Sequence, residues 1–216
     1  LTAPRAISRL LASTLFPPRC CLCSFEGASL DLDLCAHCRA DLPFHGAQGA
    51  ELIPLRFEPP VDDLIRRLKY HGVFANARVL GVLLAEAARQ RAAPLPTLLV
   101  PVPLHPARFR ERGFNHAAAI ALYASRLLEI PVARHVVRRV RDTPSQTTLG
   151  PRERQQNLRG AFAIPNARQL RRLQGASHVA IVDDVLTTGS TANELAGVLT
   201  AAGVSQVEVW AVARAR

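Results

Sequence analysis

From residue 59 onwards the apolar positions keep a helical rhythm and a strand rhythm in turn. In PPVDDLIRRLKYHG (59–72), Val61, Leu64, Ile65 and Leu68 recur at helical spacing, and Gly72 stands where such a helix should stop. A second helix is predicted over 73–91, with Ala, Leu and Val on its buried side and Pro94 and Pro96 beyond its end. TLLVPVPL (97–104) reads as the first core strand, partly broken by its prolines. Residues 105–115 read as a polar loop, 117–128 as an Ala/Leu helix and 131–137 as the next strand. The pattern then lapses. RRVRDTPSQTTLGPRERQQNLRG (138–160) is charged, poor in apolar residues and weakly periodic, which predicts a long exposed loop with a short helix at 151–157. A loop of that length in a compact domain points to a functional or linker segment. A continuous apolar strand at 177–182, a helix at 191–202 stopped by Gly203, and a last strand at 207–213 complete the series.

Strands therefore alternate with helices over 95–213. Right-handed crossovers turn that order into an α/β fold: a mainly parallel sheet with helices on both faces. Ligands of such sheets bind beyond the carboxyl ends of the strands.

Size and composition narrow the class. The chain has 216 residues, 49% of them hydrophobic and 20% charged, enough for one substantial domain with a small appendage. No uninterrupted apolar run is long enough for a membrane span. The formal charge is +10, from 27 basic and 17 acidic residues, and Lys69 is the sole lysine. Such an excess favours anionic partners, either phosphate-bearing metabolites or nucleic acid. LTAPRAISRLLASTLFPPRCC at the start is basic with an apolar stripe. It lacks the long hydrophobic core of a secretory signal and reads as a short amphipathic helix over 1–19 that packs on the body.

All five cysteines fall within CCLCSFEGASLDLDLCAHC (20–38). That clustering does not suit a disulfide framework and fits a reducing, cytoplasmic setting. Cys20, Cys23, Cys35 and Cys38 form two CxxC knuckles, a donor set that suits structural tetrahedral Zn(II). Cys21 is the spare and replaces Cys20 in an alternative register. The predicted organisation is an N-terminal segment (1–19), a zinc-binding segment (20–45) and an α/β domain (46–216).

The chemistry concentrates in VAIVDDVLTTGST (179–191). Asp183 and Asp184 stand at the exit of a buried strand, suited to accept hydrogen bonds from vicinal hydroxyls or to contact hydrated Mg(II). Thr187, Thr188, Gly189, Ser190 and Thr191 lead into a helix start, where hydroxyls and backbone N–H groups can wrap a phosphate. The loop is neither a Walker motif nor GxGxxG. Its two ends match the two ends of a sugar phosphate.

VAIVDDVLTTGST resembles the phosphoribosyl pyrophosphate (PRPP) motif of type I phosphoribosyltransferases. The wider chain resembles the ComF family of competence-related proteins. The paired CxxC knuckles, LKYHG (68–72), PVPLHPARFRERGFNHAAAIA (101–121) and RVRDTPSQTTLGPRERQQNLRGAF (139–162) carry that likeness over nearly the whole chain. The resemblance implies a type I phosphoribosyltransferase-like fold and PRPP bound with Mg(II). Asp183 and Asp184 would then meet the ribose hydroxyls, and Thr187, Thr188, Gly189, Ser190 and Thr191 the 5-phosphate. The loop carrying Arg108, Arg110 and Arg112 would take the pyrophosphate, where guanidinium groups suit bidentate contacts. Residues 139–158 would form a closing loop, and 41–96 with the zinc segment a hood over the acceptor. It also implies a role in DNA uptake and natural transformation. The same fold, as a phosphate-binding platform, would alternatively hold single-stranded DNA beside helicase or recombination proteins. Sparse aromatics, at 5%, speak against stacking as the main mode of such binding.

Overall fold

The computed structural model describes residues 19–25, 32–45, 51–142 and 158–215. The predicted N-terminal helix and the short helix at 151–157 lie outside them.

A short helix α1 (Ala36–Ala40) belongs to the cysteine segment. Strands β1 (Glu51–Leu52) and β2 (Leu55–Arg56) follow, each two residues long and missed by the periodicity for that reason. Helix α2 (Val61–His71) buries Val61, Leu64, Ile65 and Leu68 as predicted, and Gly72 ends it in the left-handed conformation at φ 64°. Helix α3 (Phe74–Gln90) is tied to it by Asn76, whose buried Nδ2 donates to Leu64 O at 2.9 Å. Strand β3 (Leu98–Pro101) is fully buried and ends earlier than predicted, at its first proline.

The segment read as a polar loop contains helix α4 (Pro106–Arg112). Its signals are local: Pro106 at the first turn, a His105 side chain accepting from Ala107 N, and Gly113 at φ 80° closing it. None of its residues is buried, so no apolar stripe announced it. Helix α5 (His116–Leu128) starts at Asn115, whose Oδ1 accepts from Ala118 N while its Nδ2 donates to Val102 O at 2.9 Å. That one side chain fixes the helix start against the end of β3.

The strand predicted at 131–137 is reduced to a parallel bridge, Leu99 to Val132. Ala133, Val136 and Val137 are buried without joining the sheet. The predicted exposed loop opens as β4 (Arg138–Arg139), antiparallel to β5 (Phe162–Ala163). Helix α6 (Ala167–Gln174), capped by Asn166, was not predicted because its sequence is mostly polar and buries Leu173 alone. Strand β6 (His178–Leu186) runs on through both aspartates, four residues past its predicted end. Helix α7 (Ser190–Ala201) and strand β7 (Gln206–Arg214) match the sequence reading closely.

The main sheet is parallel throughout, in the order β1–β7–β6–β3, with β2 also pairing β7. Alternation along the strands splits the core in two. Leu99, Ala180, Val182, Trp210 and Val212 face α2, α3 and α5, and this layer also holds Cys20, Leu34 and Cys35 of the cysteine segment. Leu98, Val100, Val179 and Ile181 face α6 and α7. Helices therefore cover both faces, as the alternating pattern required. Burying each of these leucine and valine side chains contributes about 1.5–3 kcal/mol.

The connections diverge at one place. From β3 the chain passes through α5 to the Val132 bridge on one side, and from β6 through α7 to β7 on the other. The gap between β3 and β6 is a topological switch point, where a crevice opens beyond the strand ends. The pairing of β3 stops at Pro101–Val182 while β6 continues to Leu186, which leaves Asp183 and Asp184 bordering that crevice.

Candidate functional site

A cavity of about 600 Å³ occupies the crevice. That lies within the usual range for small-molecule sites. Its floor carries Asp183 and Asp184, and Thr187 and Thr191 line the side leading into α7. Arg108 and Arg112 reach it from α4, Arg139 from β4 and Asp142 from the segment after it. Phe57, Asp62, Arg66, Lys69 and Tyr70 close the opposite wall.

The structure brings most of the sequence-selected residues together, but not Arg110. Arg108 and Arg112 are one helical turn apart and share a face of α4, whereas Arg110 turns away and does not line the cavity. A loop would have allowed all three to converge, and the helix forbids it. Thr188 and Ser190 bond each other, Oγ1 to Oγ at 2.8 Å, rather than facing the cavity. Gly189 sits at φ 75° and is the N-cap of α7, with no side chain capping that helix start. A positive φ there favours glycine, since a Cβ makes the left-handed region costly.

Asp184 is nearly fully enclosed, its side chain 4% exposed. Its Oδ2 lies 2.5 Å from Lys69 Nζ, and its Oδ1 lies 3.5 Å from His116 Nε2. Burial opposes its ionisation, but the Lys69 ammonium, and then His116, outweigh that and hold the carboxyl far below its ordinary range. Burial likewise works against the charge on Lys69, yet Asp184 keeps its pKa above the usual lysine value. Burial is also the leading influence on His116 and keeps it neutral. Arg112 approaches His116 Nδ1 at 2.8 Å. A guanidinium can only donate, so Nδ1 accepts and the ring proton resides on Nε2, facing Asp184.

Asp183 differs from its neighbour. Its Oδ1 accepts from Asp184 N at 2.9 Å. Desolvation, followed by the charge of Asp184, pushes its carboxyl up to about 8, with Lys69 pulling the other way. The two carboxylates therefore interact, although they are adjacent on one strand. One oxygen of each and one ring nitrogen of His116 all lie within 4.8 Å of one another. This set can approach a cation, although the His116 proton on Nε2 disfavours ligation by that nitrogen.

Lys69, His116 and Tyr70 are the residues that the pattern did not assign. Arg112 lies over the Tyr70 ring at 5.4 Å, a cation–π contact at the cavity mouth. The available signal was the sole lysine at the end of a predicted helix. His105 acts as a helix cap, and its Nδ1 also lies 3.5 Å from Asp142. Of the segment expected to form a hood, residues between Phe57 and Tyr70 line the cavity, and no described residue of the cysteine segment does.

The second candidate site is the cysteine cluster. One Sγ from each of Cys20, Cys23, Cys35 and Cys38 lies within 4.8 Å of the others. Cys23 and Cys35 sulfurs are 3.8 Å apart. That is far beyond a disulfide bond. It matches the edge of a sulfur tetrahedron around zinc, roughly 3.8 Å for Zn–S bonds near 2.3 Å. The Cys38 N–H donates to Cys35 Sγ at 3.4 Å. Burial works against ionisation of Cys20, but backbone N–H groups prevail and bring its thiol down to about 6. The four cysteines thus fit a structural metal such as zinc. Cys21 is outside the cluster, and burial, with the charges of Cys20 and Asp33, drives its thiol up to about 12. The cluster therefore uses the Cys20 register.

The segment is bound to the α/β body through polar contacts as well as the shared core. Arg67 of α2 donates to Cys21 O at 3.2 Å, Arg78 of α3 pairs with Asp33, and Arg39 pairs with Glu86 at 2.8 Å. No helix among the described residues is long and apolar enough to cross a membrane.

No protein-family model matches the chain. Competence protein F of Haemophilus influenzae is 35% identical over 201 residues, covering 84% of each chain. The DNA utilization protein YhgH of Escherichia coli strain K12 is 36% identical over 162 residues, covering 73% of this chain and 69% of its own length. YhgH of Salmonella typhi is 35% identical over the same extent.

Proposed function

This chain belongs to the ComF family, and from that premise we propose that it is a PRPP-binding, type I phosphoribosyltransferase-like protein that acts in DNA uptake. The observation that carries the reading is the acid pair of β6 at the sheet's switch point, continuous with the hydroxyl-rich start of α7. An extended sugar phosphate spans those two features: ribose hydroxyls toward the acids, 5-phosphate toward residues 187–191. Arg108 and Arg112 of α4 line the same cavity, which supports a pyrophosphate subsite there. Mg(II), when bound with PRPP, would neutralise pyrophosphate charge and assist its departure.

The chain's own residues then have separable tasks. The uncapped N–H groups at the start of α7 and the Thr187 and Thr191 hydroxyls bind phosphate oxygens. Asp183 orients the ribose and, once ionised, favours the positive charge that develops at C1 as its bond to pyrophosphate weakens. Arg108 and Arg112 stabilise the departing anion. In this reading zinc is structural and the protein acts in the cytoplasm.

A second reading makes the fold a platform for single-stranded DNA beside helicase or recombination partners. It draws support from Arg134, Arg138, Arg168 and Arg171, all exposed and without a carboxylate within 4.0 Å among the described residues. Phosphate-backbone binding there would weaken steeply with salt. The two readings are compatible.

Calorimetric titration of zinc-loaded protein with PRPP and Mg(II) tests the first reading. Saturable binding is expected, and a flat titration at millimolar ligand rejects it. Titration with a single-stranded oligonucleotide at low and high salt tests the second in the same way.

A further inference from the structure

The two aspartates of the acid pair are not equivalent. Both oxygens of Asp184 face groups of this chain, Lys69 Nζ at 2.5 Å and His116 Nε2 at 3.5 Å. Arg112 holds His116 from its other nitrogen at 2.8 Å, so the imidazole proton stays directed at Asp184. A ligand hydroxyl or hydrated cation would have to displace one of these groups to reach Asp184.

Lys69 has the opposite character. It leaves the last turn of α2, its side chain is 25% exposed, and it lines the cavity. An ammonium has three donors. One contact with Asp184 leaves two for the void. Arg108 and Arg112 line the same cavity from the facing helix, so Lys69 completes a positive rim around the space above Asp184.

We propose that Lys69 is an anion-binding residue of this cavity, taking the phosphoanhydride end of a polyphosphorylated ligand, and that Asp184 is its positioning residue. The inference rests on the cavity being a site for phosphorylated ligands, and it reassigns one of the two acids within it. Asp183 alone then serves the ribose hydroxyls. Asp184 holds the ammonium at a fixed point, with His116 and Arg112 fixing Asp184 in turn. A lysine so held loses little side-chain freedom when an anion arrives, which favours affinity.

The sole lysine makes the test direct. Biosynthetic incorporation of ¹³Cε-labelled lysine marks Lys69 with all three ammonium protons kept, and a Lys69→Arg sample, which lacks the signal, assigns it. Inorganic pyrophosphate, ribose 5-phosphate and PRPP with Mg(II) are titrated separately. Pyrophosphate and PRPP are expected to shift the Lys69 signal saturably, and ribose 5-phosphate to shift it little. In calorimetry, Lys69→Gln and Asp184→Asn should each weaken pyrophosphate and PRPP binding by about tenfold or more. Both variants should leave ribose 5-phosphate binding within about threefold, and Lys69→Arg should restore part of the loss. PRPP binding with an unmoved Lys69 signal overturns the lysine assignment and leaves the PRPP reading intact. So does an Asp184→Asn variant that loses ribose 5-phosphate and keeps pyrophosphate. A Lys69 response to pyrophosphate without PRPP binding rejects the PRPP reading and keeps the anion site. No response to any of the three rejects both.

Discussion

Lys69 Nζ lies 2.5 Å from Asp184 Oδ2, joining the end of α2 to the strand that carries the acid pair. Asp184 is the more enclosed partner, at 4% against 25% side-chain exposure. Removing the lysine charge therefore strands a carboxylate that water cannot reach. Lys69→Met is expected to destabilise the fold by about 2–4 kcal/mol. The double variant Lys69→Met with Asp184→Asn should recover most of that loss, since no uncompensated charge is left. Urea unfolding measures both. Equal midpoints for Lys69→Met and wild type would show that the pair contributes nothing.

The two acids should also give opposite dependences on pH. Asp183 is raised from an ordinary 3.8 to about 8. Its contribution to stability is fully present below the unfolded value and is lost as pH rises toward 8. Wild type should therefore lose stability relative to Asp183→Asn between about pH 4 and pH 8. Asp184 is lowered, so its contribution is present above about pH 4 and is lost as pH falls below that. Thermal melts of wild type and each variant across this range separate the two. A wild-type minus Asp183→Asn difference that stays flat with pH contradicts the assignment.

The cysteine segment should depend on its metal. It shares the core of α2 and α3 through Cys20, Leu34 and Cys35. The protein as purified is expected to carry about one zinc per chain, and cobalt substitution should give the absorption of a tetrahedral tetrathiolate site. Cys35→Ser should lose the metal, whereas Cys21→Ser should keep it. Chelation should lower the melting temperature, because binding energy at such a site is folding energy. Full metal content in Cys35→Ser would exclude the proposed ligand set.

Helix α3 meets α5 without a side chain at Gly81. A Cβ built there would lie 2.6 Å from Ile120 O and 2.6 Å from Tyr123 Cβ. Backbone cannot yield as a flexible side chain would. Gly81→Ala should cost about 1–3 kcal/mol despite alanine's better helix propensity. A variant as stable as wild type in urea would show that α3 and α5 can separate freely.

The long elements were legible because their apolar faces repeat. Val61 to Leu68 marks α2, and the run from Val179 to Val182 marks the buried part of β6. Elements whose stability comes from elsewhere were not. Helix α4 buries nothing, and α6 buries Leu173 alone, so each depends on its caps and neighbours. Strands β1 and β2 are two-residue pairings with β7 and have no period to detect. Within the site, Asp183, Asp184, Thr187 and Thr191 were legible because they fall in one continuous motif. Lys69 and His116 reach Asp184 from two helices distant in sequence, and no local pattern announces that meeting. Arg110 is near Arg108 and Arg112 in sequence but does not line the cavity, because residues two apart on a helix face different ways.

The most direct measurement of the central claim is a structure of the zinc-loaded protein with PRPP and Mg(II). The account expects the 5-phosphate against residues 187–191 at the start of α7. It expects the ribose hydroxyls toward Asp183, and the pyrophosphate beside Lys69, Arg108 and Arg112. PRPP bound elsewhere, or an empty cavity at saturating ligand, would contradict it.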